Sequence, residues 1–98
     1  MENKHIPVTL LCTHYNIEVS FITSLTEYGL LEITTIEEAQ YIEEEKIRDL
    51  EKLIQLHYDL DINMEGIDAI YNLLNRVEGL QHELSALRNR LKFYENEQ

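Results

Sequence analysis

The chain has 98 residues, one cysteine and a formal net charge of −11. That length supports one domain and a small core, and a single cysteine excludes an internal disulfide framework. The acidic excess opposes binding to nucleic acid and anionic membrane and favours basic protein partners. Apolar residues make up 44% of the chain, enough for a folded protein rather than a disordered one. No basic start followed by an apolar core is visible, and no run approaches membrane-spanning length. The expectation is a soluble cytoplasmic protein.

In chain order, Pro7 suits the first turn of a helix, where its missing N–H costs little. Val8, Leu11 and Cys12 give one apolar face to a short helix ending near His14. Tyr15 and Asn16 form a turn, because Asn tolerates the left-handed conformation. A second helix is predicted from Glu18 to Tyr28, with Ile22 and Leu25 inward alongside Val19 or Phe21, and Gly29 stops it. Two short helices joined by a tight turn make a helix-turn-helix. The stretch from Leu30 to Ile36 is rich in β-branched residues, and Glu37 to Tyr41 can return beside it as a two-stranded wing lying on the helices.

Helical spacing resumes from Glu43 to Tyr58, with Ile47, Leu50, Ile54 and His57 on one face and Leu53 beside them. The segment from Asp59 to Ile62 breaks that helix, Leu60 and Ile62 turn inward, and Asn63 caps the next helix. Ile67, Ile70, Tyr71 and Leu74 are expected to close the domain. From Ile70 onward apolar residues recur in steps of three and four. Ile70, Val77, Leu84 and Leu91 form one row; Leu73, Leu80, Leu87 and Tyr94 form the other. A helix of this length measures ~40 Å, against a radius of gyration of ~13 Å for a folded domain of 100 residues. Val77, Leu80, Leu84, Leu87 and Leu91 are therefore the predicted dimerisation seam, with Glu83 opposite Arg88 and Arg90 opposite Glu95 in a parallel pair; an antiparallel pair fits as well. The organisation read is a winged helix-turn-helix domain over residues 1–75 and a helical extension over residues 76–98.

Between Lys4 and Lys46 there is no lysine or arginine, while eight glutamates fall in that stretch. DNA affinity rests on cations that neutralise phosphates, and guanine is read mostly by arginine and lysine. A recognition helix offering Glu18, Ser20, Thr23, Ser24 and Glu27 supplies neither. No catalytic constellation, metal site or cofactor site is read either. Cys12 and His14 point to different faces of a helix, His5, His57 and His82 stand singly, and the three glycines form no phosphate loop. An interaction surface is left. Glu45, Asp49 and Leu56 lie on one outward row with Asp59 and Asp61 nearby, an acidic patch around an apolar residue suited to a basic partner.

The element order, with Tyr28-Gly29-Leu30-Leu31 after the second helix, resembles the MerR-type winged-helix family, although Ser20 and Thr23 stand where that family usually carries arginine. A closer similarity is to the CbpM-like chaperone modulators. It is carried by the tract from Leu56 to Asn63 (LHYDLDIN), by Gly66-Ile67, and by Leu87-Arg88-Asn89-Arg90-Leu91 in a leucine-rich tail, and it covers about residues 6 to 94. The resemblance implies a mainly α winged helix-turn-helix fold with a long C-terminal helix. It also implies a non-catalytic protein that binds the J-domain of a DnaJ/CbpA-type co-chaperone and inhibits its action with a DnaK-type ATPase. The MerR-type resemblance implies the alternative of a DNA-binding transcriptional regulator.

Overall fold

The computed structural model describes residues 4–96. Its first two helices, α1 (Val8–Tyr15) and α2 (Val19–Glu27), are stopped by the same device. After α1, Asn16 takes a left-handed conformation (φ 56°), the Asn16 amide donates to the Thr13 carbonyl, and the Ile17 amide donates to Cys12 at 3.0 Å. After α2, Gly29 (φ 72°) donates to Thr26, and Leu30 donates to Leu25 at 2.9 Å. These paired bonds satisfy carbonyls that a helix end leaves bare, and the residue after each left-handed position, Ile17 or Leu30, drops into the core. Of the two candidates for the inner stripe of α2, Phe21 is buried (5% exposed) and Val19 is not (49%).

The sheet has three strands rather than the expected two. Strand β3 (Ala39–Glu43) lies centrally, flanked by β1 (His5–Pro7) and β2 (Thr34–Ile36), both antiparallel to it. Pro7 therefore ends an edge strand and precedes α1, a place a residue without an amide hydrogen tolerates. His5 faces Glu43 and Ile6 faces Ile42, while the Glu44 amide donates to the Lys4 carbonyl at 2.8 Å and extends the ladder. The β2–β3 hairpin closes with Ile36 opposite Ala39. Its two turn residues, Glu37 (φ 49°) and Glu38 (φ 70°), both have positive φ, as the tightest hairpin turns require.

A 3₁₀ turn (Glu44–Lys46) leads into α3 (Ile47–Ile54), and a π-helical turn (Gln55–Asp59) follows it. Leu50 and Leu53 are fully buried, while Ile47 and Ile54 are half-buried. The corner after Asp59 differs from expectation at Leu60, which is 58% exposed, while Ile62 is half-buried. Asp61 there adopts φ 55°, and the Ile62 amide donates back to the Leu56 carbonyl at 3.1 Å. Asn63 caps α4 (Met64–Asn96) as expected, its Oδ1 accepting from the Gly66 amide at 2.8 Å.

The chain divides into two compact units, the first ending at Asp68 and the second beginning at Ala69. The core of the first gathers residues from every helix and from β3: Leu11, Ile22, Leu25, Ile42, Leu50, Leu53 and Ile67 are all at most 5% exposed. In the second unit Ile70 and Tyr71 are half-buried, and every residue from Asn72 to Glu95 is exposed. Leu74, expected to close the domain, is therefore exposed instead. The spacing that placed it inward continues unchanged into the heptad run, so periodicity alone did not mark where burial stops.

A candidate protein-interaction face

The first unit carries a helix-turn-helix whose second helix presents no cation. Glu18, just before α2, and Ser20, Thr23 and Glu27 on it are exposed, and Ser24 is half-buried. The hydroxyls are partly engaged at home: Ser20 Oγ donates to Glu18 Oε2 (3.1 Å), and Thr23 Oγ1 donates to the Val19 carbonyl (3.2 Å). In place of guanidinium forks, this face offers carboxylates and short hydroxyl groups.

The second acidic region follows the chain through α3. Glu45 is exposed in the 3₁₀ turn, Asp49 is half-buried in α3, and Leu56 is half-buried in the π turn. Asp59, at the end of that turn, and Asp61, at the left-handed corner, are both exposed. The first three thus occupy one continuous helical stretch, and the last two sit at its end.

This corner is held by polar and aromatic contacts more than by chain direction. His57 Nδ1 lies 2.9 Å from the Ile62 carbonyl, an acceptor, which places the ring proton on Nδ1. The same imidazole stacks on Phe21, with ring centroids 4.8 Å apart. Tyr58 packs edge-on against both Phe21 and His57, and its hydroxyl accepts from the Glu18 amide at 3.2 Å. A Cβ at Gly66 would lie 2.7 Å from Ile62 Cγ2 and 3.1 Å from Asn63 Oδ1, so any larger residue there must displace the Ile62 side chain and crowd the cap. The tract from Leu56 to Gly66 is thus an internal fastening, with Asp59 and Asp61 facing outward from it. The sequence placed His57 on the apolar face with Ile47, Leu50 and Ile54 and Asn63 at a cap; the aromatic cluster leaves no such pattern, because Phe21 and His57 are far apart in the chain.

Two tyrosine–carboxylate pairs add to the first unit. Tyr15 donates to Glu51 Oε2 and Tyr28 to Glu65 Oε1, both at 2.9 Å. Burial and then the Glu51 hydrogen bond raise the Tyr15 phenol, and the Glu65 hydrogen bond is the main cause that raises Tyr28. Glu65 is lowered by its own backbone amide first and by Tyr28 second. The lone thiol, Cys12, is buried, which raises its pKa and makes it a poor nucleophile.

In the second unit, the seam residues Val77, Leu80, Leu84, Leu87 and Leu91 are each 48–60% exposed in the single chain. Among the described residues no helix is long and apolar enough to cross a membrane, and no three metal-ligating side chains converge.

The chain is similar to the chaperone modulatory protein CbpM of Pseudomonas entomophila (strain L48). The two are 24% identical over 82 residues, covering 83% of this chain and 81% of that protein. No solved structure matches the chain significantly. A family model described as MerR HTH family regulatory protein matches residues 6–89, a span that takes in the helix-turn-helix, the wing, the fastened corner and most of α4. The chain belongs to that family.

Proposed function

We propose that this protein is a non-catalytic chaperone modulator that binds the J-domain of a DnaJ/CbpA-type co-chaperone and inhibits its action with a DnaK-type ATPase. The observation that carries this reading is the cation-free tract between Lys4 and Lys46, which spans β1, both helices of the helix-turn-helix and the wing. A fold that grips DNA through lysine and arginine has carboxylates there instead. The similarity to a chaperone modulatory protein supports the same direction.

In this reading the J-domain's basic helix rests on Glu45, Asp49, Asp59 and Asp61, with Leu56 as the apolar contact at the centre. Occupying that helix hides it from the ATPase partner. The winged domain (residues 1–75) does the binding. The helical extension (residues 76–98) pairs two copies of the protein, the simplest cover for an exposed leucine seam, and the protein acts in the cytoplasm. The test is J-domain-stimulated ATP hydrolysis by the DnaK partner. Added wild-type protein should suppress the stimulation, and the Glu45→Lys plus Asp49→Lys variant should not. Equal suppression by a folded double variant would remove this face from the mechanism.

A DNA-binding regulator is the second reading, favoured by the family model and by the helix-turn-helix itself. It requires sequence-selective retention of duplex DNA at physiological salt, and a gel shift with the DNA flanking the gene tests it directly.

A further inference from the structure

The wing tip and the starts of α1 and α2 enclose a groove of about 270 Å³ that the acidic row on α3 does not use. Pro7, Val8, Val19 and Ala39 give it an apolar lining, and Glu38 and Gln40 stand at the wing side. Its volume falls below the ~300–1,000 Å³ typical of small-molecule sites, a size for one inserted side chain rather than a cofactor. Val19, at 49% exposed, is an aliphatic residue left open to it.

The charged side chains around the groove have one sign. Glu38 lines it, Glu37 shares the turn, and the exposed Glu18 precedes Val19. Lys4 and Lys46, the cations that bound this tract, lie at the opposite end of the sheet, where the Glu44 amide meets the Lys4 carbonyl. Pro7 lies three residue steps along the strand from Lys4, ~10 Å at the usual rise. Glu37 and Glu38 also hold left-handed backbone that glycine or asparagine adopts more easily.

The geometry points to this groove as a docking site for a cationic segment of a partner protein that inserts one aliphatic side chain, with lysines or arginines beside it meeting Glu38, Glu37 and Glu18. The apolar floor gives the anchor, and the carboxylates select charge and orientation.

The experiment titrates isotope-labelled full-length protein with a short blocked peptide of lysine and alanine carrying a single central leucine, followed by amide NMR shifts. The expected result is saturable shifts centred on Val8, Val19, Ala39 and Gln40, with affinity falling about tenfold when the peptide leucine is replaced by glycine. Glu38→Gly separates binding from folding: it should raise the melting temperature by relieving the backbone, yet weaken the peptide about threefold. Glu78→Gln, which removes one charge in the second unit, should leave affinity unchanged. Shifts centred elsewhere, no shifts, equal weakening by Glu78→Gln, or unchanged affinity in a more stable Glu38→Gly variant would each overturn the assignment.

Discussion

Residues 4–68 and residues 69–96 draw on the same aliphatic side chains with the same helical spacing, and treat them in opposite ways. In the first unit Leu50 and Leu53 are fully buried against residues brought from distant parts of the chain. In the second, Leu80, Leu84 and Leu87 repeat the pattern and stay about half exposed or more. A stripe of leucines shows which residues share a face; what covers the face depends on contacts the stripe does not encode. The first unit supplies its own cover through Phe21, Ile42 and Ile67. The leucine seam of the second has its cover supplied by a second copy in the proposed dimer.

Leu50→Ala should break the first unit most severely. Deleting a fully buried leucine side chain costs about 2–5 kcal/mol, measured as a lower urea midpoint, and a loss under ~1 kcal/mol would mean the core is not where the burial places it. Leu84→Lys should act on assembly instead. It puts a charge at a seam position, and sedimentation at tens of micromolar should show the mass of the dimer fall to that of the single chain with helicity lost only in part. Unchanged mass would remove the seam from the dimer proposal. Gly66→Ala should cost about 1–2 kcal/mol, because the added Cβ meets Ile62 Cγ2. Asn63→Ala, which deletes the cap, should cost ~1 kcal/mol. If the two substitutions together cost no more than one alone, the cap and the close approach act as a single device.

The smallest effect is a pH dependence at the Tyr28–Glu65 pair. Glu65 is held below its ordinary 4.5, so its contribution is present above that pH and is lost as pH falls through the folded value. Tyr28 is held above its ordinary 10.0, so its contribution is complete below that pH and is lost as pH rises through the folded value. Tyr28→Phe should reduce the acid dependence and also the alkaline one, to which Tyr15, likewise raised, still contributes. An unchanged alkaline profile in Tyr28→Phe would show that this phenol is not the titrating group.

Local devices in this fold were legible because their chemistry is carried by one or two residues. Asn16 and Gly29 mark left-handed helix stops, Asn63 marks a cap, and the missing cations of α2 can be read by inspection. What stayed hidden depended on distant partners. Three residues, His5–Pro7, become a strand only because β3 offers them an edge. Leu60 is exposed at a corner where the next residue, Asp61, takes a left-handed backbone that aspartate signals only weakly. Glu37 and Glu38 gave no signal of a tight hairpin, since glutamate is not a residue that favours it. Of the acidic candidates, the exposure of Glu45, Asp59 and Asp61 follows from their charge, whereas the groove joins Pro7, Val19 and Ala39 from three separate elements and leaves no local pattern.

The proposed role gives a fold of the MerR HTH regulatory family a basic protein surface to hold. Calorimetric titration of a purified J-domain co-chaperone into the full-length protein, at low and at physiological salt, tests it most directly. The expected result is saturable binding that weakens as salt rises and is lost in Glu45→Lys plus Asp49→Lys. Absence of binding at either salt concentration, together with tight, sequence-selective binding of duplex DNA in the same buffers, would contradict it.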